Sequence, residues 1–450
     1  MLLVSQAEEL ILSATPNPLA YPDPPSEILP LSAGLHRVLA QDLFAPRRFP
    51  HWDNAAMDGY ALRWTDAAQA MAQQEGLELL PEAIAAGDAP NWQLPPASAA
   101  RIFTGALLPS GADTVVMQEQ VRVNSGKIYL DHLPTLGEYV RHGGTFAQAS
   151  DRLLAAGTRL NPPELAGLAA MGINTVPVLP LVRVAIFTTG NELVNNELVN
   201  LDRTDLQTGQ IFDSNQYALT ALVQQTGALA INLGTVKDNP SALRQKISEA
   251  LAVADVVISS GGVSVGDYDL VAQTLQTLGG QIHCQSVAIK PGKPLTMATF
   301  DNTDYRDLTD HHDLSSSPES PSSQVLPKVY LGVPGNPVSA IMSFWRFGRG
   351  IIAKRSGQLP HSWHPLFIDA ITTADLHSQG QRETYLWGNL ETRLKAGNSK
   401  TYFVPVGDAA STVVYSSGNV ISLMGCNGCA VLRRFQTYVP QGETVRVMVV

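Results

Sequence analysis

The sequence predicts a multi-domain α/β protein built around a three-layer α/β domain, and three observations predict it. Over residues 179–357 strand-like and helix-like segments alternate, which specifies a parallel sheet with right-handed crossovers. Over 51–140 and again over 358–450 the texture changes to short apolar runs split by Gly and Pro, as in β-rich domains and small β-barrels. Between these regions, apolar Asp255-Val256-Val257-Ile258 runs straight into Ser259-Ser260-Gly261-Gly262-Val263-Ser264-Val265-Gly266-Asp267-Tyr268-Asp269, and a helical pattern follows from Leu270. A strand, a glycine turn and a helix start in that order gather backbone N–H groups at one point, which binds an anion.

The elements follow in order. Residues 1–12 read as an amphipathic helix, because acidic Glu8 and Glu9 stand where a signal peptide is apolar and no basic segment precedes them. Pro16, Pro18, Pro22, Pro24 and Pro25 then break the chain, and 34–43 connects to a new module; 1–50 and 141–178 together are expected to form an N-terminal helix and linker domain. Strands at 101–105 and 112–117 belong to a β-rich domain over 51–140, and a short helix is expected at 164–171. In the α/β domain, strands are expected at 182–187, 228–233, 256–259 and 329–331, with helices at 215–225 and 240–253. The polar stretch 301–327, rich in Ser and Pro, is expected to be a disordered surface loop. The last domain, 358–450, is expected to be a β-barrel.

Composition removes several classes of function. The chain has 450 residues with 40 acidic against 30 basic side chains, a formal charge of −10, which argues against a nucleic-acid or anionic-membrane surface. No apolar stretch approaches the roughly 20 residues that span a bilayer, so the cytoplasm is the expected compartment. Only Cys284, Cys426 and Cys429 occur, too few for a disulfide framework. The Cys426-Asn427-Gly428-Cys429 pair lacks a partner pair for structural zinc and reads as small residues in a turn.

Four loops at strand ends carry the chemistry. Thr188-Thr189-Gly190-Asn191-Glu192 ends the first strand, and Asp213-Ser214-Asn215 opens a helix. The glycine run brings Gly261, Gly262, Ser264 and Gly266 with Asp267 and Asp269, and Pro334-Gly335-Asn336 opens the last helix. At one edge of one sheet these loops would hold phosphate on backbone N–H groups and Mg2+ on Glu192, Asp213 and Asp269, with Asp267 a further candidate. Asp213 alone would read as an N-cap. Lys290-Pro291-Gly292-Lys293-Pro294 adds two ammonium groups on a loop after the strand-like run 286–289. The sequence Asn191-Glu192-Leu193-Val194-Asn195 repeats at once as 196–200; one glutamate can occupy the strand end, and Glu192 is the expected one.

Together with Asn54-Ala55-Ala56-Met57-Asp58-Gly59-Tyr60-Ala61, Ile102-Phe103-Thr104-Gly105-Ala106 and Val115-Val116-Met117-Gln118-Glu119, these motifs run in order along nearly the whole chain and resemble the molybdopterin molybdenumtransferase family, to which the gephyrin E domain and its plant counterpart are related. The resemblance implies a molybdopterin-binding α/β domain, an elongated linker domain and a homodimer with a composite active site. It implies insertion of molybdenum from molybdate into adenylylated molybdopterin, with Mg2+-dependent release of AMP. By the same resemblance Asp58 and Thr104 reach the partner's site, while Asp269, Asp213 and Glu192 are catalytic or metal-binding. Ser264, Lys290 and Lys293 match molybdate-holding positions; Arg382, Ser417 and Ser422 match cleft residues of the last domain. Transient contact with the molybdopterin adenylyltransferase and with molybdoenzyme chaperones is expected, and no nucleic acid or membrane.

Three positions depart from the family pattern. Arg382-Glu383-Thr384-Tyr385-Leu386-Trp387 keeps the first arginine of the family's Arg-x-Glu-Phe-x-Arg and has Trp387 at the second; Arg141-His142-Gly143-Gly144-Thr145 has Thr145 where an acid is usual; and Asn191 replaces an Asp. Two other readings share these motifs. The preceding adenylyltransferase has the same α/β module but needs neither the 54–61 motif nor a terminal barrel. A receptor-anchoring scaffold needs linker and partner-binding regions, and the sole low-complexity stretch here is the serine-rich one.

Overall fold

The computed structural model describes residues 1–194, 206–263, 270–301, 326–395, 398–407 and 414–450. The chain forms two compact units, one of residues 1–41, 156–161 and 176–450, the other of 42–155 and 162–175. It enters the larger unit through helix α1 (Val4–Ala14), whose Val4, Ala7 and Ile11 recur at helical spacing and are buried in that unit's core.

The smaller unit is a six-stranded sheet. Strand β1 (Gly59–Leu62) is followed by helix α2 (Trp64–Gln73), then β2 (Leu77–Leu79), β3 (Ser98–Ile102), β4 (Thr114–Met117), β5 (Val121–Asn124) and β6 (Lys127–Leu130). The spatial order is β4-β1-β3-β2-β6-β5. Side chains alternate: Ala61, Ala100, Ile102 and Val115 fill one face, while Tyr60, Leu62, Ala99 and Val116 fill the other with Ala67 and Ala70 of α2. Helix α3 (Pro162–Ala170) also belongs to this unit and starts two residues before the expected position.

The larger unit contains the α/β sheet and the barrel. After β7 (Arg183–Thr189) come α4 (Asn215–Gln225), β8 (Leu229–Val236), α5 (Pro240–Val253), β9 (Val256–Ser260), α6 (Leu270–Thr277), β10 (Gln281–Ser286), β11 (Ile289–Lys290), β12 (Pro294–Phe300) and β13 (Lys328–Val333). Helix α7 (Pro337–Ser343) continues through a π-helical turn, Phe344–Gly348, into α8 (Arg349–Arg355). Alternation along β7 decides the layers. Val184 and Ile186 face a core shared with α1, α4, α7 and α8, while Ala185 and Phe187 face one shared with α5 and α6. Three layers result, as the sequence predicted. Helix α5 starts where Asn239 Oδ1 accepts from Ala242 N at 2.8 Å and Pro240 occupies the first turn.

One expectation is corrected. The sheet order is β8-β7-β9-β13-β12-β10, and only its first four strands are parallel. Strand β12 runs antiparallel to β13, and β10 antiparallel to β12. The connection from β10 to β12 is too short to carry a crossover helix, so the chain reverses instead. The strand-like run 286–289 is accordingly split: Ser286 ends β10, whereas Ile289 begins β11 and pairs with the barrel.

The barrel closes with strands β14 (Phe367–Thr372), β15 (Glu383–Lys395), β16 (Asn398–Pro405), β17 (Gly428–Leu432) and β18 (Thr444–Val449) in the ring β15-β16-β14-β18-β17, where β17 returns to β15. Ala370, Leu386, Phe403, Leu432 and Val447 fill its interior. Cys429 is buried in β17, and burial pushes its thiol pKa well up, so it is a packed apolar residue. Among the described residues no helix is long and apolar enough to cross a membrane.

Candidate functional site

The carboxyl ends of β7, β9 and β13 meet at one edge of the α/β sheet, and three loops there are locked to one another. A Cβ at Gly261 would lie 2.3 Å from the Thr189 carbonyl oxygen, and its φ is +97°, so only glycine fits. The Gly335 loop stacks on it, with a Cβ built at Gly335 3.6 Å from Gly261 Cα. Ser260 Oγ donates to the Pro334 carbonyl at 2.9 Å, and Asn215 Nδ2 donates to Ser260 Oγ at 2.8 Å and to the Gly335 carbonyl at 2.7 Å. Asn336 Nδ2 reaches Ser417 Oγ at 3.0 Å, and the Ser417 carbonyl accepts from Val338 N at 3.0 Å, which ties the serine loop to the start of α7.

The lysine loop joins the same edge by register. Thr296 of β12 stands opposite Gly332 of β13, so Pro294, two residues earlier, stands level with Pro334. Adjacent strands lie about 4.8 Å apart, so this loop is about 10 Å from the end of β9. Lys290 and Lys293 are half-buried, and the loop closes through Val287 N donating to the Lys293 carbonyl at 2.9 Å. Gly292, at φ +107°, lets the loop pass Ser343 of α7, whose Oγ would be 3.0 Å from a Cβ there. The pairing of β11 with β15 sets Lys290 opposite Thr384, and Arg382 Nη1 donates to the Ile289 carbonyl at 3.2 Å. Arg382 is thus brought beside Lys290.

The acidic residues divide. Glu192 is exposed at this edge, and a short parallel ladder of Leu193–Val194 with Ile211–Phe212 sets its segment beside that of Asp213. Asp213 itself is 1% exposed, and both carboxylate oxygens are taken. Oδ2 accepts from Thr188 Oγ1 and, at 3.1 Å, from Thr235 Oγ1; Oδ1 accepts from Gln216 N at 3.1 Å. Its geometry brackets β7, β8 and the start of α4. Ser264, Gly266, Asp267 and Asp269 lie outside the described residues, as does the second copy of the repeat and most of the serine-rich stretch. Among the described residues no three His, Cys, Asp or Glu side chains gather into a metal site.

The departures have physical counterparts. Trp387 is buried, and its Nε1 donates to Ser422 Oγ at 3.0 Å, with Tyr415 edge-on at 4.8 Å. The hydroxyl of Ser422 also lies 2.7 Å from the Asn419 carbonyl, so this serine anchors its loop. Asn191 Oδ1 accepts from Asp238 N at 3.3 Å, and Asp238 accepts from Thr189 Oγ1. Thr145 closes a turn by donating to the His142 carbonyl at 2.7 Å, and His142 Nδ1 lies 3.1 Å from Asp53.

In the smaller unit, Asp58 and Thr104 meet. Asp58 Oδ1 accepts from Thr104 Oγ1 at 2.7 Å and from Thr104 N at 2.8 Å, and these bonds, the hydroxyl first, hold its carboxyl below the usual range with help from Arg101. The carboxylate is fully exposed. Arg101 lies over Tyr60 and Phe103, at 5.0 and 5.3 Å, and donates to Gln118, which donates to Glu119 at 2.9 Å.

Sequence reasoning passed over Asn215, Ser260 and Arg101 as site residues. Their signals were weak: Asn215 sits where an N-cap is ordinary, Ser260 ends an apolar strand, and Arg101 alternates with apolar neighbours. Among the described residues, three buried polar atoms at or near the edge, Asn215 Oδ1, Thr296 Oγ1 and Ser343 Oγ, have no partner. Orphans of this kind fit a polar ligand.

Comparison with known proteins agrees with this layout. Residues 2–172 match the MoeA N-terminal region (domain I and II), 185–354 a probable molybdopterin binding domain, and 369–450 the MoeA C-terminal region (domain IV). The chain is 46% identical over 94% of its length to a molybdopterin molybdenumtransferase of Nostoc sp., covering 88% of that protein. It is 34% identical to that of Haemophilus influenzae over 84% of this chain and 83% of the relative. A crystal structure of a molybdopterin biosynthesis MoeA protein from Pyrococcus horikoshii superposes with a TM-score of 0.70 at 26% identity, covering 100% of this chain and 99% of that one.

Proposed function

This chain belongs to the molybdopterin molybdenumtransferase family and is a transferase of molybdenum cofactor biosynthesis, and from that premise we propose that it inserts molybdenum from molybdate into adenylylated molybdopterin, with Mg2+-dependent release of AMP. One observation carries the reading: the glycine loops, the Pro334–Asn336 turn, both lysines and Arg382 converge on one sheet edge, while the chain as a whole carries a charge of −10. Molybdate is a dianion, and the adenylylated pterin carries a phosphoanhydride. Backbone N–H groups suit the phosphates, while ammonium and guanidinium groups suit the oxyanion.

In this reading Lys290 and Lys293 hold molybdate against the pterin, and Arg382 beside them offsets charge that develops as AMP leaves. Asn215, clamped by Ser260 and Gly335, offers to a pterin N–H its Oδ1, which has no partner among the described residues. Mg2+ would polarise the anhydride. The described residues do not gather its ligands; Glu192 is an exposed carboxylate open to it, whereas both oxygens of Asp213 already accept hydrogen bonds.

We assign Asp58 and Thr104 to the cleft of a second copy, in a homodimer with a composite active site. Handover from the adenylyltransferase and to molybdoenzyme chaperones in the cytoplasm completes the reading. The test is direct. Purified protein with adenylylated molybdopterin, molybdate and Mg2+ is expected to release AMP and form active cofactor, and EDTA to stop both. Cofactor formation without AMP release would refute the reaction proposed.

A further inference from the structure

A cavity of about 320 Å3 lies in the larger unit between α1, the π-helical turn and the barrel, and none of its lining residues belongs to the glycine or lysine loops. One wall is a saturated network. Arg346, 6% exposed, sets Nη1 and Nη2 at 2.6 and 2.7 Å from the two carboxylate oxygens of Glu8 and its Nε at 3.1 Å from the Tyr385 hydroxyl. Tyr385 in turn donates to Glu383 at 2.7 Å. Arg346 rides on the π-helical turn, a rare distortion that recurs at functional sites. Because Glu8 neutralises Arg346, this wall adds little net charge.

The rest of the lining is cationic. Arg433 and Arg446 line the cavity, and among the described residues neither guanidinium forms an ion pair. Arg446 lies over the Phe367 ring at 4.2 Å, and Arg346 approaches the same ring at 5.9 Å, so Phe367 is an apolar surface between cations. His364 adds a ring nitrogen 3.1 Å from Glu8. Two arginines without an ion pair among the described residues, against the single carboxylate of Glu383, leave the cavity lining positive on a chain of net charge −10. Two guanidinium forks in a volume of pocket size suit a small carboxylate or phosphate anion.

We propose that this cavity is a second binding site, for a small anion bearing carboxylate or phosphate, gripped by Arg433 and Arg446, with the Phe367 ring supporting the Arg446 guanidinium. The site is separate from the lysine loop, so it is tested in full-length protein already carrying Lys290→Ala and Lys293→Ala, with citrate and inorganic phosphate as probes in isothermal titration. One probe is expected to bind, citrate if carboxylate is the natural group and phosphate if phosphate is. Adding Arg433→Ala or Arg446→Ala should weaken it at least about tenfold. Both arginines are exposed, so melting without probe should stay unchanged; if an alanine variant does not fold, Arg433→Lys and Arg446→Lys, which keep charge and lose the fork, carry the test with a smaller loss. Absence of binding of both probes at about 10 mM, a concentration that reveals even weak sites, or equal binding by the arginine variants, overturns the proposal.

Discussion

Asp213 and Asp58 make nearly the same bonds in opposite surroundings. Each carboxylate accepts a threonine hydroxyl and a backbone N–H, Asp213 from Thr188 and Gln216, Asp58 from Thr104 alone. Asp213 is sealed beneath the edge of the α/β sheet with both oxygens engaged, whereas Asp58 stands in solvent with no bond to Oδ2 among the described residues. Burial decides which aspartate holds the fold and which can meet a substrate. A hydrogen-bond pattern without burial does not distinguish them.

The largest expected effect falls on the buried member. Asp213→Ala takes the shared acceptor from Thr188 and Thr235, which keep only their mutual 3.0 Å bond, and orphans the Gln216 N–H; it should cost about 3 kcal/mol, read as a fall in the thermal midpoint. A melt like wild type would place the carboxylate outside the fold's structural bonds and return it to the metal candidates. Asp58→Asn should do the reverse. Its melt should move by less than about 0.5 kcal/mol, while AMP release by the purified protein falls at least about tenfold. Full activity would remove Asp58 from the proposed cleft.

The smallest effect is the sharpest. Thr104 bonds favour the ionised form of Asp58, so its pKa is depressed in the fold; the stabilisation is present above the ordinary aspartate value of about 3.9 and is lost as pH falls through the depressed one. Thr104→Val removes the hydroxyl bond and should move the Asp58 carboxyl resonance titration upward in NMR. An unchanged titration would assign the depression to the Thr104 N–H bond, which valine keeps, and to Arg101.

Much of this was legible in the sequence because it depends on local pattern. Helices 215–225 and 240–253 follow from periodicity and from the Asn239-Pro240 start, and the glycine loops announce close backbone approach. The reversal of β12 was not legible, since strand direction depends on whether the connection can carry a crossover, and 286–289 looked like one strand. The fate of Asp213 was hidden for a related reason. Its partners Thr188 and Thr235 come from two other strands and are brought to it only by the sheet. Trp387 was read as a missing arginine, while its role as the indole that anchors Ser422 needed the barrel's register.

The central claim is that the edge of the α/β sheet beside the lysine loop is where molybdate meets the pterin. Its most direct test is molybdate-dependent cofactor formation from adenylylated molybdopterin by the Lys290→Ala, Lys293→Ala protein against wild type. The account predicts a loss of at least about 100-fold with an unchanged melting profile, since two charge-assisted contacts to the oxyanion are removed from a partly exposed loop. Turnover equal to wild type at limiting molybdate would contradict it.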